Sequence, residues 1–425
     1  MNRIHVSAVF AGFAAAVTLA FAPGAEPEPK WWRGNLHTHT LWSDGDDFPE
    51  MVVEWYRNHG YQFLALSDHN LLSQGQMWKQ VAEVNRKAKT DAYTRYRGHF
   101  GANWVETRNG PDPERLEVRL KPFDEYRTLV EERNRFLMIQ SEEITHKAGN
   151  GRSFHLNATN LGEALTPLDG ATVPEAMARN LAAVRESAER TGRDVLVHLN
   201  HPNYKWGVTA EDLAAVPEER FFEVWNGVDD DHDPGDATHP STDQMWDIAN
   251  TLRMVGHNEP PLFGVATDDS HNYHGNNQRA IPGRAWVMVR SRYLTAQAIV
   301  RALRSGDFYA SSGVMLRDVV YDRSTRTLSL DVQAQAGETF VTRFIGTRKG
   351  ANMQGKPRSG ADAGTTLDYG PQVGQVLAEI TGAHASYTLR GEELYVRAIV
   401  TSSATPEVPS TEFPYKRAWT QPVGW

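Results

Sequence analysis

Short apolar segments that end in clusters of polar residues recur along the first two thirds of the chain. Segments of this length and composition are typical of strands that are buried on both faces of a parallel sheet. Helix-like intervals separate them, so the alternation predicts an α/β architecture, and polar clusters at strand ends favour a barrel with its site on that face. The segments are 63–66, 136–139, 195–197, 221–225 and 262–266, and the clusters that follow them are SDHN, SEE, HLNH, NG and DDSH.

Residues typical of helix ends support this alternation. Proline is favoured in the first turn of a helix, glycine just after its end, and serine or threonine at the N-cap. Four helices are expected on these signals: from Pro49 to Gly60, from near Pro174 to Thr191-Gly192, from Ser241 to Val255-Gly256, and from Thr295 to Ser305-Gly306.

Two regions depart from the alternation. Residues 74–135 form a polar and aromatic insertion, for which a partly helical lid and a plain surface excursion are equally good interpretations. After Gly313 the pattern changes to β-rich segments with Gly and Pro between them, at 328–332, 340–344 and 393–398. They predict a β-sandwich-like domain over 314–425 with a packing or accessory binding role.

The first 25 residues have the layout of a secretory signal peptide: Arg3, an apolar run from Val6 to Ala22, and small residues at the end. The run is slightly short for a membrane span, so cleavage is favoured over an N-terminal anchor. We therefore expect an exported protein, periplasmic or extracellular, that has no membrane association after cleavage.

Composition excludes some classes of function. The formal net charge of -9 argues against a general nucleic-acid binder, because no block of Lys and Arg offsets it. The chain has no Cys, which excludes disulfides and thiolate metal ligands. Acidic substrates remain allowed, because bound cations can attract anions locally.

Histidines mark the region that carries the chemistry, since all but His5 and His384 of the 16 lie between His37 and His274. The strongest local signal is LHTHTLWSDG, residues 36–45. Two histidines separated by one residue point to the same side of a strand, so His37 and His39 can reach one cation. Asp44 adds an anionic oxygen from the loop that follows.

Five further clusters supply oxygen and nitrogen ligands. They are Asp68-His69-Asn70, Ser141-Glu142-Glu143, His155, His198-Leu199-Asn200-His201 and Asp268-Asp269-Ser270-His271. Either glutamate of the SEE cluster can bridge two cations, and Glu143 is the better candidate because an apolar residue follows it. A mononuclear site would use only three or four of these side chains, so two or three cations fit the supply better. Manganese, zinc and iron are all compatible with such ligands.

The ordered motifs resemble the PHP (polymerase and histidinol phosphatase) superfamily of metallohydrolases. The resemblance covers residues 31–313 and rests on HTH with a later Asp, SDHN, EEI, a lone His, NHP and DDSH. The phrases NHPN, WNG, ATDDSH, GRAWV, YASSGV and AWTQP are similar to a secreted, carbaryl-hydrolase-like branch. Membership implies a distorted (β/α)7 barrel and two or three divalent metal ions.

The resemblance also implies the roles of individual residues. The implied metal ligands are His37, His39, Asp44, His69, Glu143, His155, His201, Asp269 and His271. Asp68, His198 and Asp268 are assigned to catalysis as groups that orient an imidazole or move a proton, although His198 and Asp268 are extra to the family pattern. The candidates for binding substrate are Lys205, Arg279 and Arg284, which can clamp an anionic oxygen.

These residues favour a hydrolase in which a metal-activated water attacks a phosphoester of a small molecule. A carboxylic or carbamate ester hydrolase on the same ligands is the first alternative, because fold and ligands do not fix the substrate. A catalytically silent, metal-stabilised binding protein is the second. The sequence leaves the oligomeric state open.

Overall fold

The computed structural model describes residues 26–112, 114–362 and 364–425. The predicted signal peptide, residues 1–25, lies outside the described residues. Within the described part, no helix is both long enough and apolar enough to span a membrane.

Helices and strands alternate over the first two thirds, and strands dominate the remainder. The helices are α1 (Pro49–Asn58), α2 (Val81–Ala88), α3 (Ala92–Phe100), α4 (Phe123–Val130), α5 (Val173–Thr191), α6 (Ala210–Ala214), α7 (Thr242–Leu252) and α8 (Ala296–Arg304). The first strands are β1 (Lys30–Asn35), β2 (Phe63–Leu66), β3 (Met77–Gln80), β4 (Thr107–Arg108), β5 (Glu117–Leu120), β6 (Leu137–Lys147), β7 (Ser153–Thr159), β8 (Leu196–Leu199), β9 (Phe221–Asn226) and β10 (Phe263–Thr267). The others are β11 (Trp286–Ser291), β12 (Phe308–Ser311), β13 (Leu316–Asp322), β14 (Thr327–Val332), β15 (Phe340–Gly346), β16 (Gln375–Thr381), β17 (His384–Thr388), β18 (Arg397–Ser402) and β19 (Arg417–Thr420).

Seven strands lie side by side in the order β10-β9-β8-β7-β6-β2-β1. The first and last of them meet just beyond their carboxyl ends, where Thr38 and Ser270 form an isolated parallel bridge. The His39 amide donates to the Ser270 carbonyl at 3.0 Å, and the Asp269 amide donates to the His37 carbonyl at 3.0 Å. The polar segments that follow β1 and β10 are therefore adjacent.

The α/β prediction is confirmed, with one difference in strand direction. Pairs β1–β2, β2–β6, β8–β9 and β9–β10 are parallel, whereas β7 runs antiparallel to both of its neighbours. A tight turn at 148–152 joins β6 to β7, and its Ala148 amide bonds the Arg152 carbonyl at 2.9 Å. Such a turn can join only antiparallel strands, because a parallel connection needs a long crossover.

The predicted helix starts agree with the structure. Thr172, Ser241 and Thr295 each cap the following helix by accepting an amide hydrogen bond. Helix α7 ends earlier than expected, at Leu252, and a wider turn over Arg253–His257 continues it. The helices pack closely on the sheet, as where a Cβ at Gly264 would lie 2.8 Å from the Trp246 ring.

The C-terminal strands continue the large sheet in the order β1-β11-β12-β19-β18-β15-β16, and β13-β14-β17 form a separate sheet. Both groups contribute to one hydrophobic cluster, which includes Leu328, Phe344 and Val400. The strand predicted at 393–398 begins only at Arg397. Glu393 belongs instead to a turn, where its carboxylate accepts from the backbone amides of Arg390 and Gly391. The boundary at 313–314 stays a prediction.

The insertion at 74–135 folds into α2, α3, α4 and the small sheet β3-β5-β4. It contacts the loops near the histidines: Lys87 Nζ donates to the Ser43 carbonyl at 3.2 Å, and the Ala88 carbonyl accepts from Asn276 Nδ2 at 2.6 Å. The insertion therefore supports two loops beside the candidate site.

Candidate metal centre

His37 and His39 follow the end of β1, where the chain enters a tight loop. The Asp68 carboxylate, beyond β2, accepts from the Ser43 hydroxyl at 2.6 Å and from the Ser43 amide at 3.1 Å. Gly45 allows the loop to close, because a Cβ there would lie 2.5 Å from the His39 carbonyl oxygen. These contacts close the loop, and both imidazoles are fully buried.

Four atoms that can bind a metal ion face one another at the centre of the site: His37 Nε2, His39 Nε2, Glu143 Oε2 and Asp269 Oδ1. All four are buried and none forms a hydrogen bond of good geometry, although the Glu143 oxygen lies close to His69. His37 Nε2 lies 3.5 Å from the Glu143 oxygen and 3.1 Å from the Asp269 oxygen, and the distances from His39 Nε2 are 3.3 and 3.0 Å. Four ligands about 2.0–2.1 Å from a tetrahedral cation lie roughly 3.3–3.4 Å apart. The four nitrogen-to-oxygen distances therefore fit ligands of a divalent cation.

Glu143 lies at the junction of several potential metal sites. Its Oε1 accepts from His155 Nδ1 at 2.8 Å and from Asn200 Nδ2 at 2.9 Å, and its Oε2 lies 2.7 Å from His69 Nδ1. Glu142 points to the other face of β6, where it accepts from the Leu165 amide at 2.9 Å. The structure thus brings Glu143, rather than Glu142, among the histidines.

The remaining predicted ligands extend this cluster. Asp44 lies 3.5 Å from His39 Nδ1, 3.4 Å from His69 Nε2 and 3.3 Å from His271 Nε2. All nine predicted ligands occur in groups whose donor atoms lie within 4.8 Å of one another: His39-Asp44-His69-His271, His37-His201-Asp269, His37-His39-Glu143 and Glu143-His155-His201. The number of groups is compatible with more than one cation.

Two of the residues in these groups have unusual backbone conformations. His201 has φ of 23° and Asp269 has φ of 46°, both in the left-handed region. Such conformations cost on the order of 1–3 kcal/mol in a residue with a side chain and concentrate at functional sites. They support a functional role for the ends of β8 and β10.

The carboxylates and imidazoles strongly perturb one another. Burial raises the pKa of Glu143, but His69, His37 and His155 outweigh it and hold that pKa well below its usual value. Burial lowers the pKa of His69, but Glu143 and Asp44 outweigh it and raise that pKa to about 11. In the absence of cations, protonated histidines therefore neutralise the carboxylates, and cation binding would release those protons.

Glu223 is a functional residue that the sequence interpretation missed. Its Oε1 accepts from His37 Nδ1 at 2.8 Å, and its Oε2 accepts from the His201 amide at 2.7 Å. A carboxylate on the far nitrogen fixes the tautomer of a ligating imidazole and raises its basicity. The signal was present, because Glu223 is a lone acid in the buried run FFEVWN. His198, assigned to catalysis, lies below the centre with its Nε2 3.5 Å from Glu223.

Asp68 and Asp268, also assigned to catalysis, make structural contacts. Among the described residues, the Asp68 carboxylate accepts hydrogen bonds only from the loop after β1, including the Thr40 hydroxyl at 2.8 Å. Asp268 accepts from the Tyr56 hydroxyl at 2.9 Å and from the amides of Arg284 and Ala285 at 2.7 and 2.8 Å. These bonds favour supporting roles over the proton transfer assigned from sequence.

A cavity of about 290 Å³ opens above the cluster. Arg279 lies at its rim, 3.7 Å from Asp231, and burial raises the pKa of Asp231 to about 7. Asp231 was not anticipated from sequence. The lining residues are Asp44, His69, Glu143, His155, His201, Tyr204, Val228, Asp231, Asp269, His271, Asn272, Asn277, Arg279 and Ala280.

The other two residues proposed to bind substrate do not line this cavity. Lys205 is exposed and its Nζ lies 4.7 Å from the centroid of the Tyr204 ring. Arg284 is buried and donates to four backbone carbonyls and to Asp229. All of its donor groups are engaged within the protein, so its assignment to substrate is corrected to a structural role.

No family model matches the chain, and no curated protein sequence matches it. Among solved structures, the chain is similar to a two-domain protein from Bacteroides vulgatus that contains a predicted PHP-like metal-dependent phosphoesterase. The two are 14% identical, the match covers 95% of this chain and 100% of that chain, and the TM-score is 0.40. A candidate metal-dependent phosphoesterase from Bifidobacterium adolescentis is 14% identical over 59% of this chain and 91% of that chain, with a TM-score of 0.31. Both TM-scores are low, so the function is inferred below from the residues of this chain.

Proposed function

We propose that the protein is a metal-dependent hydrolase of the PHP type that cleaves a phosphoester of a small molecule. We further propose that its site lies at one end of a distorted seven-stranded barrel, with a C-terminal β-sandwich beside it. The motif order HTH, SDHN, EEI, NHP and DDSH supports the family assignment.

One observation carries the proposal of metal dependence. The Nε2 atoms of His37 and His39 are buried 3.0–3.5 Å from one oxygen each of Glu143 and Asp269, and none of these four atoms forms a hydrogen bond of good geometry. An unsatisfied buried polar atom costs about 1–3 kcal/mol, and more if it is charged. A fold that gathers four of them is stabilised when a cation satisfies them together.

The surrounding residues would hold and orient the reacting groups. Two or three divalent cations, manganese, zinc or iron, would polarise the ester and lower the pKa of a water molecule. Glu223 keeps the Nδ1 proton on His37, which leaves Nε2 free as a ligand. Arg279 at the cavity rim is suited to bind a non-reacting phosphate oxygen.

The lining of the cavity also favours a second candidate, hydrolysis of a carboxylic or carbamate ester. Arg279 is the only Lys or Arg among the described residues that line it, and two aspartates lie within 4.0 Å of its guanidinium. A phosphate dianion would compete with these aspartates for Arg279, whereas a neutral ester needs no such clamp.

A substrate panel distinguishes the two candidates. The purified full chain, reconstituted separately with manganese, zinc and iron, is assayed on p-nitrophenyl phosphate, bis-p-nitrophenyl phosphate, 1-naphthyl acetate and 1-naphthyl N-methylcarbamate. Hydrolysis of a phosphoester that EDTA abolishes supports the first proposal. Turnover of the naphthyl esters alone would refute it and support the second.

We also propose that the protein is exported and that the segment before residue 26 is removed. The basic start and the apolar run of that segment support this proposal. N-terminal sequencing of the mature protein from its native host checks it, and retention of Met1 would contradict it.

A further inference from the structure

The connection between β18 and β19, residues 403–416, leaves the C-terminal strands and lies against one wall of the cavity. That wall is the loop over residues 227–241, which joins β9 to α7. The loop contributes Val228 and Asp231 to the cavity lining. Two parts of the chain that are about 180 residues apart, as Asp230 and Glu412 are, therefore meet beside the candidate site.

Glu412 makes the central contact between the two segments. Its Oε1 accepts from the amides of Asp230 and His232 at 3.2 and 3.0 Å, and its Oε2 accepts from the Asp233 amide at 3.3 Å. Asp230 and His232 have left-handed φ angles of 75° and 63°. Backbone amides turned in this way form a concave site for an anion, which here is a carboxylate of the same chain.

Asp229, the residue before Asp230, makes a second contact between the wall and the 403–416 connection. Asp229 Oδ1 accepts from the Ser410 hydroxyl and from the Thr411 amide, both at 2.9 Å. Its other oxygen accepts from Arg284 Nη2 at 2.9 Å, and Arg284 Nε donates to the Pro409 carbonyl at 3.0 Å. Residues 409–412 are therefore bonded to the wall through side chains and backbone alike.

This network extends to Arg279, the residue proposed to bind an anionic oxygen. The Asp229 amide donates to the Arg279 carbonyl at 2.9 Å, and Arg284 Nη1 donates to the same oxygen at 2.8 Å. The Arg279 guanidinium in turn lies 3.7 Å from Asp231 Oδ1. The position of Arg279 over the cavity thus depends on the wall that Glu412 holds.

The direct contacts of His37 and Glu143 are different from those of Glu412, and the wall reaches the cluster indirectly, through the bond of the Asn226 amide to Asp233 and the bonds of Asn226 Nδ2 to Glu223 and Asp269. His37 is held by Glu223, and Glu143 is held by His155 and Asn200. None of the side-chain hydrogen bonds described for Glu412 reaches these five residues. A change at Glu412 is therefore expected to disturb the wall and leave the ligand cluster in place.

We propose that Glu412 is a positioning residue for substrate binding and that the C-terminal strands contribute to the site through it. The part that concerns substrate rests on the proposed hydrolase function, whereas the part that concerns the wall does not. The role is specific: Glu412 orders the loop that carries Asp231 and orients Arg279, and it does not hold the cations.

The test compares Glu412→Ala and Glu412→Gln with Glu407→Ala, a control at an exposed residue of the same connection. Each full-length protein is reconstituted with metal and examined by hydrogen exchange of peptides that cover 228–236, by metal analysis and by kinetics on p-nitrophenyl phosphate. In Glu412→Ala we expect faster exchange, unchanged metal content and a KM raised about 5-fold with kcat within roughly twofold, which corresponds to about one net hydrogen bond. Glu412→Gln, which keeps one acceptor oxygen, should fall between Glu412→Ala and the wild type.

Two outcomes would overturn the proposal. Unchanged exchange over 228–236 in Glu412→Ala would mean that Glu412 does not order the wall. If Glu412→Ala loses metal and kcat together while KM stays constant, Glu412 has a general structural role. The same pattern in Glu412→Gln would exclude misfolding of the alanine variant as the cause. If the wild type hydrolyses no phosphoester, the proposed function fails separately, and the exchange rates alone then decide whether Glu412 holds the wall.

Discussion

Neighbouring glutamates on β6 allow a matched test of the site. Glu143 and Glu142 are both fully buried, but only Glu143 faces the histidines. We expect Glu143→Gln to lose metal and Glu142→Gln to keep it. The two variants make the same substitution at adjacent buried positions, so general effects of replacing a buried glutamate on β6 are controlled for in the comparison.

The structure sets the size of the effect. Glu143 belongs to two of the groups of potential ligands, with His37 and His39 and with His155 and His201. Loss of a residue that merely orients a ligand weakens metal binding about 10- to 100-fold. Loss of a shared ligand should therefore weaken it by at least about 100-fold, or about 2.8 kcal/mol. Glu142→Gln should bind metal within about twofold of the wild type, because a Gln oxygen can still accept from the Leu165 amide.

The assay is a competition titration of the metal-free full chain against a chromophoric chelator, with circular dichroism to verify that each variant is folded. Activity on the substrate that the wild type turns over is measured in parallel. Equal loss of metal in both variants, or full retention in a folded Glu143→Gln, would refute the assignment of Glu143 as the shared ligand.

Three further predictions concern the surroundings of the site. Burial raises the pKa of Glu50 to about 7. The contribution of protonated Glu50 to folding stability is therefore complete below about pH 4 and is lost as pH rises through about 7. Glu50→Gln should match the wild type near pH 4 and be up to about 3 kcal/mol more stable above pH 7 in thermal unfolding. Glu223→Gln should weaken metal binding about 10- to 100-fold, and titration that matches the wild type would contradict its role on His37. Arg279→Ala should raise the KM for an aryl phosphate about 3- to 10-fold and leave the KM for a neutral ester unchanged, and equal KM effects on both substrates would argue against an anion clamp. Arg284→Ala should instead lower the free energy of unfolding by about 3 kcal/mol, because it removes the guanidinium that pairs with Asp229.

The strands were predictable because burial on both faces requires an uninterrupted apolar run. Phe63–Leu66 is apolar and buried at every position, and polar residues begin where that strand ends. Helix ends were predictable for a local reason as well, since Thr172, Ser241 and Thr295 satisfy amides of the first helical turn. Both signals depend on residues close together in sequence.

Features that depend on distant residues were not predictable. The direction of β7 is an exception, because its signal is local: the short Gly149-Asn150-Gly151 turn to β6 indicates an antiparallel hairpin, and the sequence interpretation missed it. The two aspartates of the DDSH cluster also differ in a way that distant residues decide. Asp269 faces the histidines, whereas Asp268 accepts from the backbone amides of Arg284 and Ala285. Glu223 escaped notice because its partner His37 lies 186 residues away.

Metal content of the full chain tests the central claim most directly. The protein is purified without added metal, stripped with a chelator, reconstituted separately with manganese, zinc and iron, and analysed by plasma mass spectrometry beside a His37→Ala, His39→Ala double variant. We expect two or three equivalents per wild-type chain and at least one fewer in the double variant. Fewer than two equivalents in the wild type, or equal content in both proteins, would contradict a multinuclear metal centre at the ends of these strands.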